Sequence, residues 1–311
     1  GSTTLDNGLT IGVNIDRYAD RNDNSGDDVF LQVSSDSLGK LRIGQTKGAA
    51  YALSHSAPNV ALGNNDGDVS DWIARPTQTA KSNSGNAESF VYSDQTMTAS
   101  EANDGQKIVY WTPNFAGFTA GVSYGVDLNG AGIESAIDVG GANVTADTAA
   151  DAGIAYNGEF GGVSVGADVT YQRNFNSGTT GTLVEDREAW RGGLSVGVAG
   201  FTIGGSYRTT DNERSIKNID SSGWDLGVSY KTGPYGVSFS YASFEEDSSA
   251  TATTEDKAKT WVLGGSYDMG AGVTLIGSVF GAEYDDGATN TVNSTNDNEG
   301  FGVVTGLKVS F

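Results

Sequence analysis

The segment FGVVTGLKVSF, Phe301 to Phe311, decides how this chain is read. Its apolar residues Phe301, Val303, Leu307, Val309 and Phe311 fall on one parity, while Gly302, Gly306, Lys308 and Ser310 take the other. Period two is the signature of a strand with one apolar face. The same pattern recurs at LTIGVNI (9–15), FTAGVSYGV (118–126), VSVGADVTY (163–171), FTIGGSY (201–207), WDLGVSY (224–230), VSFSY (237–241) and WVLGGSY (261–267). The second face carries Gly, Ser, Thr and scattered charges. That is unlike a β-sandwich, where both sheets turn apolar residues inward. The polar face is therefore expected to line a wet interior.

The connections sort by length. Short turns with Gly or Pro stand at LDNG (5–8), SDSLG (35–39), PNFAG (113–117), NGEFGG (157–162), AG (199–200), KTGPYG (231–236) and DMGAG (268–272). Longer polar loops alternate with them near 19–27, 47–104, 127–150, 173–187, 210–222, 245–258 and 285–299. Short turns on one rim and long loops on the other predict an outer-membrane β-barrel. Aromatic residues near strand ends, Trp224 with Tyr230 and Trp261 with Tyr267, predict two interfacial girdles about one membrane-crossing strand apart.

Composition narrows the function classes. The 311 residues include 45 Gly, 4 Pro and no Cys, and the formal net charge is −21. No stretch approaches the ~18 consecutive apolar residues of a spanning helix, so a membrane protein of this sequence crosses with strands. A charge of −21 argues against nucleic acid, which needs clustered Lys and Arg. Without Cys there are no disulfides and no thiolate ligands or nucleophiles.

Two sharper chemistries are weak. NNDGDVSD (64–71) places Asp66, Asp68 and Asp71 at spacings that could hold calcium, yet it lacks the terminal Glu of an EF-hand loop. Calcium at these three residues is the one cofactor the chain suggests. His55, in ALSHSAPN, is the sole histidine, so a Ser-His-Asp hydrolase would have to use it. No nucleophile elbow accompanies it, and a loop role is the expectation. No enzyme activity is expected.

The stretches TLDNGLTIGV, GKLRIG, YWTPNFAGFTAGVSY, LGGSYDMGAGVTLIG and LKVSF resemble the general diffusion porins of Gram-negative bacteria, particularly their acidic, Gly-rich alphaproteobacterial branch. The resemblance spans nearly the whole chain. It implies an all-β antiparallel barrel of ~16 strands in the bacterial outer membrane, amid lipid bilayer and lipopolysaccharide. It also implies a homotrimer, an inward-folded third loop, and a terminal Phe311 read by the barrel-assembly machinery. Gly192 and Gly205, on the apolar parity, permit the wall-to-wall packing of a trimer.

Counting strands gives about 14. Residues 1–4 precede the LDNG turn and would descend toward it as a strand, so the expectation is a 16-stranded barrel whose first one or two strands are missing from this chain, the alternative being a 14-stranded barrel with residues 1–4 as a tail. The whole chain is expected to be one barrel domain, with residues 47–104 as its constriction loop. Opposed charges would then cross the lumen: Asp66, Asp68, Asp71, Glu88 and Asp94 on the loop, and Arg42, Lys107, Arg191, Arg208 and Lys308 on the polar parity of the wall. Arg on the lipid face near mid-membrane costs about 2–4 kcal/mol, which favours lumen positions for Arg42 and Arg191. The expected function is passive diffusion of small hydrophilic solutes and ions, with weak cation preference. The alternatives are a substrate-specific outer-membrane channel or an extracellular β-rich adhesion or structural protein.

Overall fold

A computed structural model describes residues 1–17, 26–61, 69–73, 77–78, 88–89, 106–127, 146–176, 185–213, 217–247, 254–285, 287 and 297–310. Its strands are β1 (Ser2–Thr4), β2 (Thr10–Arg17), β3 (Gly26–Ser35), β4 (Gly39–Gln45), β5 (Thr77–Gln78), β6 (Glu88–Ser89), β7 (Gln106–Trp111), β8 (Phe118–Asp127) and β9 (Ala146–Phe160). They continue with β10 (Val163–Asn176), β11 (Arg187–Val198), β12 (Phe201–Asp211), β13 (Ser221–Thr232), β14 (Tyr235–Asp247), β15 (Glu255–Gly270), β16 (Val273–Asp285) and β17 (Asn298–Val309). Fifteen of them form one antiparallel sheet in chain order, β1-β2-β3-β4-β7 through β17, the wall of a transmembrane β-barrel. β5 and β6 pair only with each other. Two short helices, α1 (Ala49–Leu53) and α2 (Val69–Trp72), lie in the connection between β4 and β7.

Residues Ser2–Thr4 are not an unpaired tail: they form β1, in register with Gly12, Ile11 and Thr10 of β2, the strand that the LDNG turn implies, and bring the main sheet to 15 strands among the described residues.

Neighbouring strands place their large apolar residues on the same outward face. Val13 pairs with Leu31, Leu31 with Ile43 and Ile43 with Ile108. The series continues with Val228 beside Phe239, Phe239 beside Leu263, Leu263 beside Val279 and Val279 beside Val303. All of these side chains are exposed, which suits a wall whose solvent is lipid.

Aromatic pairs edge the band. Near the short turns, ring centroids lie 4.8 Å apart for Phe118–Tyr156, 4.3 Å for Phe201–Tyr230 and 5.1 Å for Tyr235–Tyr267. Toward the loop rim they lie 4.7 Å apart for Tyr171–Trp190 and 5.5 Å for Trp224–Tyr241. Each is a cross-strand pair of the kind that stabilises a sheet by about 0.2–1 kcal/mol.

Three of the short turns share one solution. Ala116–Gly117, Ala199–Gly200 and Ala271–Gly272 all have both residues at positive φ, +51 to +52° for the Ala and +78 to +93° for the Gly. This is the two-residue turn whose twist matches the flanking strands. At the other rim the strands outlast their pattern: β9 begins at Ala146, inside the predicted loop 127–150. Above the membrane an outward residue need not be apolar, so ADTAAD continues the ladder without alternating.

The inward face is not uniformly polar. Val69 and Ile73 from the connection pack against Ala242, Phe244, Ala258, Val262, Phe280, Ala282 and Tyr284 of β14–β16. An apolar patch inside the barrel thus receives α2, while Trp72 on the same helix remains exposed.

Candidate functional site

After β4, residues 46–61 lie against the inner wall and cross one strand after another. Lys107 on β7 donates its ammonium to the carbonyl of Thr46. The indole N–H of Trp111 donates to the carbonyl of Ala49 at 3.3 Å. Ala49 N–H reaches Ser123 Oγ on β8 at 3.4 Å, and Ala50 N–H reaches Asp151 Oδ1 on β9 at 2.8 Å. Ser123 in turn donates to Asp151 Oδ2. The path continues with His55 N–H on Asp168 Oδ1 of β10 at 2.6 Å and Arg191 of β11 donating to the His55 carbonyl. Ala57 N–H on Asp225 Oδ2 of β13 at 2.9 Å and Val60 N–H on Ser238 Oγ of β14 at 3.1 Å complete it.

This geometry has a steric counterpart. The wall is bare where the segment crosses: a Cβ at Gly204 would stand 2.8 Å from the Ser56 carbonyl oxygen, one at Gly227 2.9 Å from Ala57 Cβ, and one at Gly193 would run into the His55 carbonyl. Each of these glycines is on the inward parity, and together they form a shallow track. Residues 49–61 carry mostly small side chains, so their backbone can approach that track closely. The wall holds the segment by its amides, and a sheet presenting carboxylates to backbone N–H groups makes charge-assisted bonds.

Asp168 is the hub of the electrostatics. Its Oδ2 accepts from Arg191 Nη1 at 2.6 Å with both side chains at most 1% exposed, and its Oδ1 faces His55 Nδ1 at 3.2 Å. Asp225 accepts from Ser206 Oγ at 2.7 Å as well as from the loop. Arg191 and Arg208 stand directly opposite in the β11–β12 register, and Arg208 Nε donates to Thr210 Oγ1 at 3.2 Å. Like charges placed so would repel. Asp168, Asp225 and, beyond the end of β12, Glu213 supply the compensating charge. Glu213 accepts from Arg187 at 2.7 and 3.2 Å and from Ser221 Oγ at 2.6 Å. Burial works to raise its carboxyl, and Arg187 and Arg208 outweigh burial, leaving it lowered to about 2.

The sequence-derived residues divide into three groups. Lys107, Arg191 and Arg208 lie on the inward face and are buried. Arg42 is inward too and half-buried: its Nε donates to Gln32 Oε1 at 2.9 Å, and its guanidinium lies 4.3 Å from the Phe30 ring centre and 5.2 Å from that of Trp111. Lys40 Nζ shares the same indole at 4.3 Å. Asp66, Asp68, Asp94 and Phe311 lie outside the described residues, as do the side chains of Asp71 in α2 and Glu88 in β6. Among the described residues no group of His, Asp or Glu is arranged to hold a metal ion.

Sequence reading missed Asp151, Asp168 and Asp225, and took His55 for an ordinary loop residue. A signal existed: each Asp interrupts a strand on its inward parity, where Gly and Ser are otherwise the rule.

A barrel wall apolar outside, largely polar inside, and crossed by an inward loop defines an outer-membrane diffusion channel. The chain belongs to the Gram-negative porins, whose family profile matches residues 1–289. It is similar in structure to the anion-selective porin of Comamonas acidovorans, at 20% identity over 99% of this chain and 85% of that one, with a TM-score of 0.59. It is also similar to OmpT of Vibrio cholerae in its trimer form (12%, 99% and 88%, TM-score 0.60) and to the outer-membrane channel DcaP of Acinetobacter baumannii (14%, 100% and 83%, TM-score 0.58). At these identities the likeness shows the fold. No curated protein matches the chain.

Proposed function

We propose that the chain works as a passive channel for small hydrophilic solutes and ions, catalysing no reaction, with residues 47–104 as its constriction and a weak preference for cations. The observation that carries this reading is the tethering of residues 46–61 to the inner wall by Lys107, Asp151, Asp168, Arg191 and Asp225, which holds that segment inside the sheet's polar face. A net charge of −21, much of it on the long loops, supports an outer vestibule that concentrates cations. Asp66, Asp68, Asp71, Glu88 and Asp94 are proposed to face the basic wall across the pore. Arg42 is the chief basic member, because among the described residues it has no ion pair, whereas Arg191 is paired with Asp168. Reversal potentials under a KCl gradient in a planar bilayer test the reading. Anion selectivity, or no conductance, overturns it.

The assembly is proposed to be a homotrimer amid lipopolysaccharide, with Phe311 as the signal for barrel assembly. Outward Gly192 and Gly205 support close wall packing. Mass measurement in mild detergent tests the trimer. A normal surface amount of Phe311→Asp would remove the signal from the reading, as calcium-independent stability would remove a metal at Asp66, Asp68 and Asp71.

A further inference from the structure

His55 is the only histidine among 311 residues, and its ring is held from both sides. Nδ1 faces Asp168 Oδ1 at 3.2 Å, and Nε2 faces Asn157 Oδ1 at 2.9 Å. The ring lies over Gly166, where a Cβ would stand 2.5 Å from Cδ2 and Nε2. Its side chain is 17% exposed, and that of Asp168 is fully buried. A neutral imidazole has one N–H and one lone pair. Two acceptor oxygens facing two ring nitrogens fit an imidazolium, which donates from both.

We infer that His55 is a proton-dependent positioning residue of the channel: as an imidazolium it ties the loop to β9 and β10, and it brings to the lumen wall a positive charge that is lost under alkaline conditions.

The surrounding charges agree with this. Among the described residues, the charged groups packed against the ring are Asp168 on β10 and Arg191 on β11. Asp151 and Glu159 lie farther along the inward face of β9, with Arg208 on β12 and Asp225 on β13 beyond. The hydrogen bond that the ring gives to Asp168 raises the imidazole pKa above 6.5, against the lowering effects of burial and Arg191 and with added help from Asn157. Asp168, Arg191 and protonated His55 carry one net positive charge, and deprotonation takes it to zero. A raised pKa means that the contribution of the tie is fully present below the unfolded value and is lost as pH rises through the folded one.

Two measurements test the inference, which rests on the channel reading for its electrical arm only. In ¹⁵N-labelled protein a single histidine gives unambiguous ring resonances. Both nitrogens are expected at imidazolium shifts at pH 6.5, with a midpoint above that value. Asn157→Ala is expected to lower the midpoint by about half a unit, ~3-fold in proton affinity, and Asn157→Asp to raise it. A neutral ring at pH 6.5, as a rotated Asn157 carboxamide would permit, overturns the inference, as does a midpoint indifferent to both variants. In bilayers the wild-type preference for cations is expected to increase as pH passes the same midpoint, and His55→Gln is expected to be flat there. An identical pH profile in His55→Gln overturns the lumen-charge half of the inference. Absence of any conductance would instead remove the channel reading, and the resonances would still decide the state of the ring.

Discussion

The backbone N–H of Ala57 meets the Asp225 carboxylate at 2.9 Å, joining residues 168 positions apart across the lumen wall. Because the loop contributes an amide, this contact needs no polar side chain at position 57 and depends on the wall. Asp225→Ala would strand the Ala57 N–H and the Ser206 hydroxyl. Each buried unpaired group costs about 1–3 kcal/mol. The variant is expected to unfold at lower temperature in detergent and to show added current flicker from a loosened loop. Asp225→Asn, which keeps one acceptor oxygen, is expected to lose roughly half as much. Equal, wild-type-like stability and noise in both variants would remove the tether.

A second prediction concerns the glycine track. A Cβ at Gly227 would stand 2.9 Å from Ala57 Cβ and 3.0 Å from the Phe239 carbonyl oxygen. Gly227→Val is therefore expected to lift the loop from the wall, reducing single-channel conductance measurably and costing ~1–3 kcal/mol as overpacking. Gly265→Ala is the control, since its Cβ would meet nothing nearer than the Gly277 carbonyl oxygen at 3.9 Å. Unchanged conductance in Gly227→Val would show that the loop does not bear on the pore at this point.

The fold was legible in the sequence because lipid forces one repeated choice. Every outward residue of a spanning strand must be apolar, so Leu226, Val228, Phe239 and Leu263 declare their face without any tertiary information. The tethers were not legible for the opposite reason. The inward parity marks Asp168 as a lumen residue but not as a tether, since its partners at His55 and Arg191 lie 113 and 23 residues away. β1 was legible only through the LDNG turn that follows it, because three exposed polar residues make no pattern of their own. The apolar inward patch escaped because Val262 and Phe280 blur the alternation instead of extending it.

Outside the spanning strands, Glu213 gives the loop rim an acid sensitivity. Its carboxyl is held at about 2 in the folded state against an ordinary 4.5, so its contribution is present above 4.5 and is lost as pH falls toward 2. The shift corresponds to roughly 3 kcal/mol at most. Thermal unfolding followed from pH 6 to pH 2 is expected to weaken across that window in the wild type. Glu213→Gln is expected to be less stable at pH 6 and flatter below pH 4.5, and parallel curves for the two proteins would contradict the assignment.

Selectivity separates two arginines that look equivalent in the sequence. Arg191 shares its charge with Asp168 at 2.6 Å in a site closed to solvent, so its field in the lumen is largely cancelled. Arg42 lies between Phe30 and Trp111 with Nε spent on Gln32, fixed in place, and among the described residues it is opposed by the field of Asp28 without a salt bridge to it. On the proposed reading its charge is the less cancelled of the two and acts on passing ions. Arg42→Gln is expected to raise the cation-to-anion permeability ratio about 2-fold at 0.1 M KCl. The difference should shrink toward 1 M, where the Debye length falls from ~10 Å to ~3 Å. Arg191→Gln is expected to change selectivity less and stability more, since Asp168 would then keep its buried charge with His55 as its remaining cation. Reversal potentials and unfolding temperatures of both variants decide the matter. A larger selectivity change at Arg191 than at Arg42 would show that the buried pair, and not the stacked guanidinium, sets the field in the pore.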